Sequence, residues 1–236
     1  LVIHLQDMAV QRVDYLSRVS HDLRSPLASI LGYAELLVDT NLRGEPGFVE
    51  QASGAILAQA ELVNQLAQDM IIAARLEAGV YNMQMKSFQL PRLIEDLVTE
   101  VRRQTGRELT VENQVGDVLV EGDMLYLRQA LINLVDNGVK YSPPDRPVFV
   151  RLVPAEKPGW IAVAIQDYGI GIEASEQDKV FDRFVRLQNE QTRGIPGTGL
   201  GLYIASNIIQ RHNGELSVRS QPGQGSTFTV NLPVGM

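Results

Sequence analysis

Ser20-His21-Asp22-Leu23-Arg24-Ser25-Pro26-Leu27 lies within a long helical pattern. Ala9, Val13, Leu16, Ser20, Leu23, Leu27, Ile30, Ala34 and Leu37 recur at steps of four and three, the seam of a coiled coil or helical bundle. The spacing predicts one helix from residue 1 to about 39. His21 falls one position past a seam residue and is expected to face outward. An imidazole is a good nucleophile near neutral pH. Asp22 follows it directly, and a carboxylate there can hold the ring and accept its proton. Ser25, four residues on, shares the helix face of His21. Pro26 lacks an amide donor and crowds the carbonyl of Asp22, so a bend or loosening is expected there.

Working outward, Asn41–Gly47 holds an Asn, two Gly and a Pro and reads as a turn. A second helix is predicted to about Ala78. Its seam is Ile56, Ala60, Val63, Ala67, Met70 and Ala74, flanked by Leu57, Asn64 and Ile71. Two such helices form an antiparallel hairpin whose wide apolar faces cannot both be buried within it. The simplest solution is a homodimer forming a four-helix bundle. Gly79 ends the second helix and sets the expected division into residues 1–79 and 80–236.

Past Tyr81 short strand-like segments alternate with helices, which predicts an α/β sandwich, so that the two-domain chain is α+β as a whole. Strands are expected at Met83–Leu90, Leu109–Asn113, Val118–Val120, Phe149–Val153 and Ile161–Gln166, the last almost wholly apolar and therefore central. Helices are expected from Pro91 to about Gln104, from an N-cap at Asp123 to about Lys140, and from Leu200 to Arg211. Leu216–Ser220 and Thr227–Leu232 form a hairpin around Pro222–Gly225. Glu173–Pro196 is long and polar and reads as a lid over a site.

The chain has 236 residues, a hydrophobic fraction of 44% and a net charge of −7. That charge, with no basic stripe, argues against a nucleic-acid partner. There is no cysteine, which excludes disulfides and thiolate metal sites. No stretch approaches the ~20 apolar residues of a membrane span, so no direct membrane contact is expected. A cytoplasmic location is the expectation, with any anchor or sensor lying before Leu1.

Four further segments carry chemistry. Asn133 and Asn137 share one face at the end of the Asp123 helix, and an amide oxygen suits Mg²⁺ already bound to phosphates. Lys140 is near enough to serve as a point charge for phosphate. Alone, the segment reads more readily as a polar helix face before a Ser-Pro-Pro turn. Asp167 closes the apolar strand, where a carboxylate can accept from the exocyclic amine of adenine. Gly169 and Gly171 would let the backbone pass beneath a flat base, although a simple strand-ending turn explains them as well. Phe181 and Phe184, three apart, suit a short helix pinning the lid to the core. Gly197-Thr198-Gly199-Leu200-Gly201-Leu202 opens a helix whose free amides suit phosphate; a plain glycine turn is the alternative.

Together the five segments resemble, in order, the His box, N box, first glycine box, F box and second glycine box of sensor histidine kinases. The resemblance runs from about Val13 to Leu232. It implies a nucleotide domain of the type shared by histidine kinases, gyrase and MutL. It also implies ATP and Mg²⁺ as cofactors, with Asn137 on the metal and Asn133 supporting phosphates and base. Lys140, Tyr141, Asp167, Gly169, Gly171, Arg186, Thr198, Gly199, Leu200 and Gly201 complete the implied nucleotide set. His21 would take the γ-phosphoryl group with Asp22 beside it, then pass it to an aspartate of a response regulator receiver domain. Several relatives place a hydrolytic Glu where this chain has Asn133, which disfavours ATP hydrolysis as the purpose. The family commonly has Thr or Asn at Ser25, the position that orients water when these kinases dephosphorylate their regulators. A non-catalytic, ATP-gated dimeric interaction module is the rival reading, and the intact His21, Asp22 and Asn137 count against it.

Overall fold

The computed structural model describes residues 23–43, 45–79, 82–187, 192, 195 and 197–235. The chain divides into two compact units, the second beginning at Ala73. His21, Asp22 and the start of the predicted first helix lie outside the described residues.

In the first unit, helix α1 (residues 23–38) continues without a break through the buried Pro26. The predicted turn is partly helical. α2 (Thr40–Arg43) precedes it, and only residues 45–47 are turn, with Gly47 at φ 78°. α3 (Phe48–Ala78) runs to the predicted end, where Gly79 takes φ 66°, a conformation costly for any residue with a Cβ. The buried stripe of α3 differs from the predicted seam. Ala52, Leu66, Asp69, Ala73 and Leu76 are buried, while Ala60, Ala67 and Ala74 are exposed. These alanines share the face of α3 with Leu57 and Ile71, which this single chain leaves exposed, while Leu66 and Leu76 mark the face that it buries. Asp69 enters the stripe with its carboxylate bonded by Gln65 Nε2 at 2.8 Å.

The second unit is a five-stranded mixed sheet with three helices. β1 (Lys86–Gln89) and β3 (Leu119–Gly122) form a separate antiparallel pair, with Phe88 opposite the buried Val120. The predicted first strand is too long at both ends: Leu90 already belongs to α4 (Leu90–Thr105), where Pro91 occupies the first turn and needs no amide. Leu90, Leu93, Ile94, Leu97, Val98 and Val101 make α4's buried stripe. β2 (Leu109–Asn113), β4 (Val148–Pro154), β5 (Trp160–Gln166), β7 (Gly225–Pro233) and β6 (Glu215–Gln221) lie in that spatial order, so β5 is central as expected. Only β2 and β4 are parallel, as the crossover through α5 (Met124–Tyr141) requires. Val148, Val150 and Leu152 on β4, Val163 and Ile165 on β5, and Phe228, Val230 and Leu232 on β7 are buried, with more polar alternate positions on β7. Leu127, Leu131, Leu134 and Val135 of α5 are buried, as are Ile204, Ala205, Ile208 and Ile209 of α6 (Gly201–Arg211).

Asp123 caps α5 as predicted, Oδ1 accepting from the amides of Leu125 at 3.1 Å and Tyr126 at 3.3 Å. The last turn of α3 belongs to this second unit: Arg211 donates to Leu76 O at 2.7 Å, and Arg183 pairs with Glu77 while stacking on Tyr203.

Candidate nucleotide site

The C-terminal half of α5 forms one wall. Asn133, Asn137 and Tyr141 are half-buried along it, and Lys140 is exposed. α5 approaches the start of β4 and the end of β5 closely at Gly138: a Cβ there would stand 3.2 Å from Val148 Cγ1 and 3.6 Å from Asp167 Cβ. A larger residue there would require the Val148 side chain to give way.

Asp167 follows β5 and is 5% exposed. Its Oδ1 accepts from the amides of Gly169 at 2.8 Å and Ser226 at 3.2 Å. Both bonds use one oxygen, which leaves Oδ2 to accept from a ligand amine. Burial raises the Asp167 pKa, and the two amide hydrogen bonds oppose that rise.

Gly169 and Gly171 also meet a steric requirement within the fold. A Cβ on Gly169 would stand 2.4 Å from Tyr141 O; one on Gly171, at φ 71°, would stand 2.0 Å from Gln221 O. The loop is pressed between the end of α5 and the β6–β7 turn. It is tied there by Gly223 N–H to Ile170 O at 2.7 Å and Ile172 N–H to Ser220 Oγ at 2.8 Å.

The second glycine segment closes the opposite side. Asn133 Nδ2 donates to Gly201 O at 3.0 Å, its Oδ1 accepting from Gln129. Lys140 Nζ stands 3.7 Å from where a Cβ on Gly197 would lie. The Leu200 amide is taken by Thr198 Oγ1 at 3.1 Å, so this side chain already satisfies one of the amides expected for phosphate. Leu200 is fully buried, anchoring the start of α6.

The F-box segment departs from expectation. Only Lys179–Phe181 is helical, a single 3-10 turn, with Phe181 edge-on to Phe228 at 6.4 Å. Phe184 lies beyond it at φ 58°, donating its amide to Gly199 O at 2.9 Å. Gly199, at φ 67°, has no room for a Cβ against the Phe184 backbone. Arg186 Nη2 donates to Ile195 O at 2.8 Å. Burial raises the Tyr141 pKa, with the Arg186 charge acting the other way.

Two family models match the chain in order: "His Kinase A (phospho-acceptor) domain" over residues 11–79, and "Histidine kinase-, DNA gyrase B-, and HSP90-like ATPase" over residues 122–236. The chain belongs to the two-component sensor histidine kinases. It is 35% identical to the autoinducer 2 sensor kinase/phosphatase LuxQ of Vibrio parahaemolyticus serotype O3:K6 (strain RIMD 2210633), over 96% of this chain and 27% of that protein. The chain therefore spans about a quarter of that relative's length. The solved mycobacterial sensor histidine kinase MprB is 32% identical with a TM-score of 0.56, covering 64% of this chain and 98% of that one. The histidine kinase ThkA, solved in complex with the response regulator protein TrrA, shares the fold at 20% identity and TM-score 0.70, over 98% of this chain and 64% of that one.

Within this chain, the N-box, first-glycine, F-box and second-glycine residues converge in the second unit. Ser25 is exposed on α1 in the first unit. Sequence reasoning missed Gly138, Ser142 and Ser226. Ser142 Oγ accepts from the Tyr168 amide at 3.2 Å, and Ser226 holds Asp167. Gly138 had a signal, a glycine inside a strong helical pattern, where its conformational cost asks for a packing reason.

The residues present fit ATP and Mg²⁺. Asp167 offers an acceptor oxygen at the end of a buried strand, and Asn137 offers a neutral oxygen donor. Lys140 brings a positive charge to the second glycine segment. No helix among the described residues is long and apolar enough to cross a membrane.

Proposed function

We propose that this chain is the core of a sensor histidine kinase that binds Mg·ATP and phosphorylates itself on His21. Asp167 Oδ2 accepts from the adenine amine, and Asn137 holds the metal. Lys140 and the Thr198–Gly201 segment face the phosphates. Bound Mg²⁺ would neutralise charge on the phosphate oxygens. A neutral His21 nitrogen attacks the γ-phosphorus in line, the bond to the β-phosphate oxygen breaks, ADP leaves, and the imidazole proton is held by Asp22. The phosphoryl group then passes to an aspartate of a response regulator; the ThkA complex with TrrA supports a partner of that kind.

Residues 1–79 supply dimerisation and the acceptor histidine, and residues 80–236 the nucleotide site, in a cytoplasmic part of the protein. Ser25, exposed one turn after His21, supports a second activity that removes phosphate from the regulator. The observation that carries the reading is the assembly of α5, Asp167 and the second glycine segment into one unit through Gly138, Asn133 and Lys140.

Incubation with γ-labelled ATP and Mg²⁺ tests it. The chain is expected to acquire acid-labile, base-stable label. His21→Gln removes that label; label that persists in this variant overturns the assignment.

A further inference from the structure

We infer that Arg107 is a positioning residue for the nucleotide site, setting the separation between its metal side and its base side. The inference rests on the site assignment above. Arg107 follows Gly106, the left-handed residue (φ 66°) that ends α4, and precedes β2. Its guanidinium crosses to the far end of α5. Nη1 donates to Val139 O at 3.0 Å and Ser142 O at 3.3 Å. Nη2 donates to Ser142 O at 3.3 Å, Pro143 O at 2.7 Å and Arg146 O at 3.3 Å.

One side chain thus gathers four carbonyls from the last turn of α5 and the turn after it. The end of a helix leaves carbonyls unpaired and partially negative, which a cation complements. The clamped segment is the one that faces the site from both directions. Lys140 and Tyr141 stand on its helical part, and Asn137 lies two residues before it on the same helix. Ser142 Oγ receives the Tyr168 amide, and Tyr141 O lies against Gly169, the two residues after Asp167. If the 139–146 segment shifts, the Asn137–Asp167 spacing shifts with it. Misplacement of about 1 Å is enough to cost large factors in rate or binding.

The clamp is specific to arginine. Lysine presents one compact ammonium and cannot span four carbonyls with a planar fork. Among the described residues, Arg107 Nε is the one buried side-chain polar atom without a hydrogen-bond partner. That unspent donor subtracts from the clamp's contribution to stability, so its benefit lies in fixed geometry.

The test compares Arg107→Met and Arg107→Lys with the parent chain, measuring the ATP KM and the labelling rate at saturating ATP, well below every melting temperature. The expected result is a KM raised about tenfold in both variants, a change of ~1.4 kcal/mol, with a smaller loss of saturated rate. Discrimination of ATP over GTP should narrow as well. Arg107→Lys keeps the charge and is expected to melt close to the parent, so its KM is informative even if Arg107→Met folds poorly. A parental KM in Arg107→Lys, with Arg107→Met changed only in melting temperature, would reduce Arg107 to a structural cap and overturn the inference. Asn137→Asp, run in parallel, separates the two ideas. Full activity in that variant refutes the site assignment. Lost activity there, with parental KM in the Arg107 variants, refutes only the clamp.

Discussion

The two units of this chain bury their apolar residues very differently. In the first, Val38 is 77%, Leu31 62%, Leu57 60% and Ile71 53% exposed. In the second, Leu134, Val163 and Ile204 are fully buried. The sequence is apolar in both places, so the contrast lies in whether one chain supplies the partner surface. The sheet of the second unit is covered by its own helices. The hairpin leaves a stripe of large side chains facing water, the surface that a second copy would cover. The nucleotide site accordingly sits in the unit that one chain completes. His21, the proposed acceptor, belongs by sequence to the first unit, which a second copy would cover.

The largest effect expected from breaking this contrast is loss of the dimer. Leu57→Glu combined with Ile71→Glu puts two carboxylates on the exposed stripe of α3. Burying an ionised carboxylate without a partner is prohibitive. Light scattering should show a monomer where the parent is a dimer, and calorimetry should show the transition of the second unit unmoved. If the double variant stays dimeric, the stripe is not the interface.

A smaller but sharper effect concerns Asp167. Its raised pKa means that the folded state holds a proton more tightly than the unfolded chain does. The stability this group contributes is fully present below its ordinary value of 3.8 and is lost as pH rises through the raised value. Above that raised value the carboxylate bears an unfavourable buried charge. Asp167→Asn keeps an oxygen for the amides of Gly169 and Ser226 but turns the second acceptor into a donor. ATP affinity is expected to fall about 10- to 100-fold, while the melting temperature of the nucleotide-free chain holds or rises by about 2–4 °C. A variant that melts lower and binds ATP normally would show that the carboxylate serves the fold and not the ligand.

Much of this was legible in the sequence, for reasons tied to particular residues. Asp123 announced the start of α5 because a cap is a local device, read from one residue and the helical run after it. β5 was legible as the central strand because Ile161–Ile165 has no polar alternate. The face of α3 that a single chain buries was not, because Leu66 and Leu76 stand outside the seam that the alanines at 60, 67 and 74 trace with Leu57 and Ile71. The site's glycines were recognised, but their steric requirement within the fold was not. Gly169, Gly171 and Gly138 are needed where distant parts of the chain press on the backbone: Tyr141 O, Gln221 O and Val148. The Arg107 clamp was equally hidden. Its acceptors are carbonyls, which every residue has, so no side-chain pattern could mark them.

The smallest expected effect is a pH dependence within the second unit. His212 is 1% exposed at the end of α6. Its Nε2 accepts the amide of Asp123 at 2.9 Å, and its Nδ1 donates to Ile208 O at 2.7 Å. These partners fix the neutral ring with the proton on Nδ1. A second proton on Nε2 would face the Asp123 N–H and break the link between α6 and the start of α5. Burial lowers the His212 pKa, with the Ile208 contact and Asp123 opposing. The unfolded chain thus takes up this proton more readily than the folded one. Stability from His212 is complete above the ordinary value of 6.5 and is lost as pH falls through the depressed value. Between pH 7 and 5.5 the transition of the second unit is expected to fall by about 2–4 °C. His212→Gln keeps one acceptor and one donor but does not titrate, so it should flatten the dependence even if it melts lower at pH 7. An unchanged slope in that variant would assign the acid sensitivity to other groups and leave His212 as a packing residue beside Gly122, where its ring already excludes a Cβ.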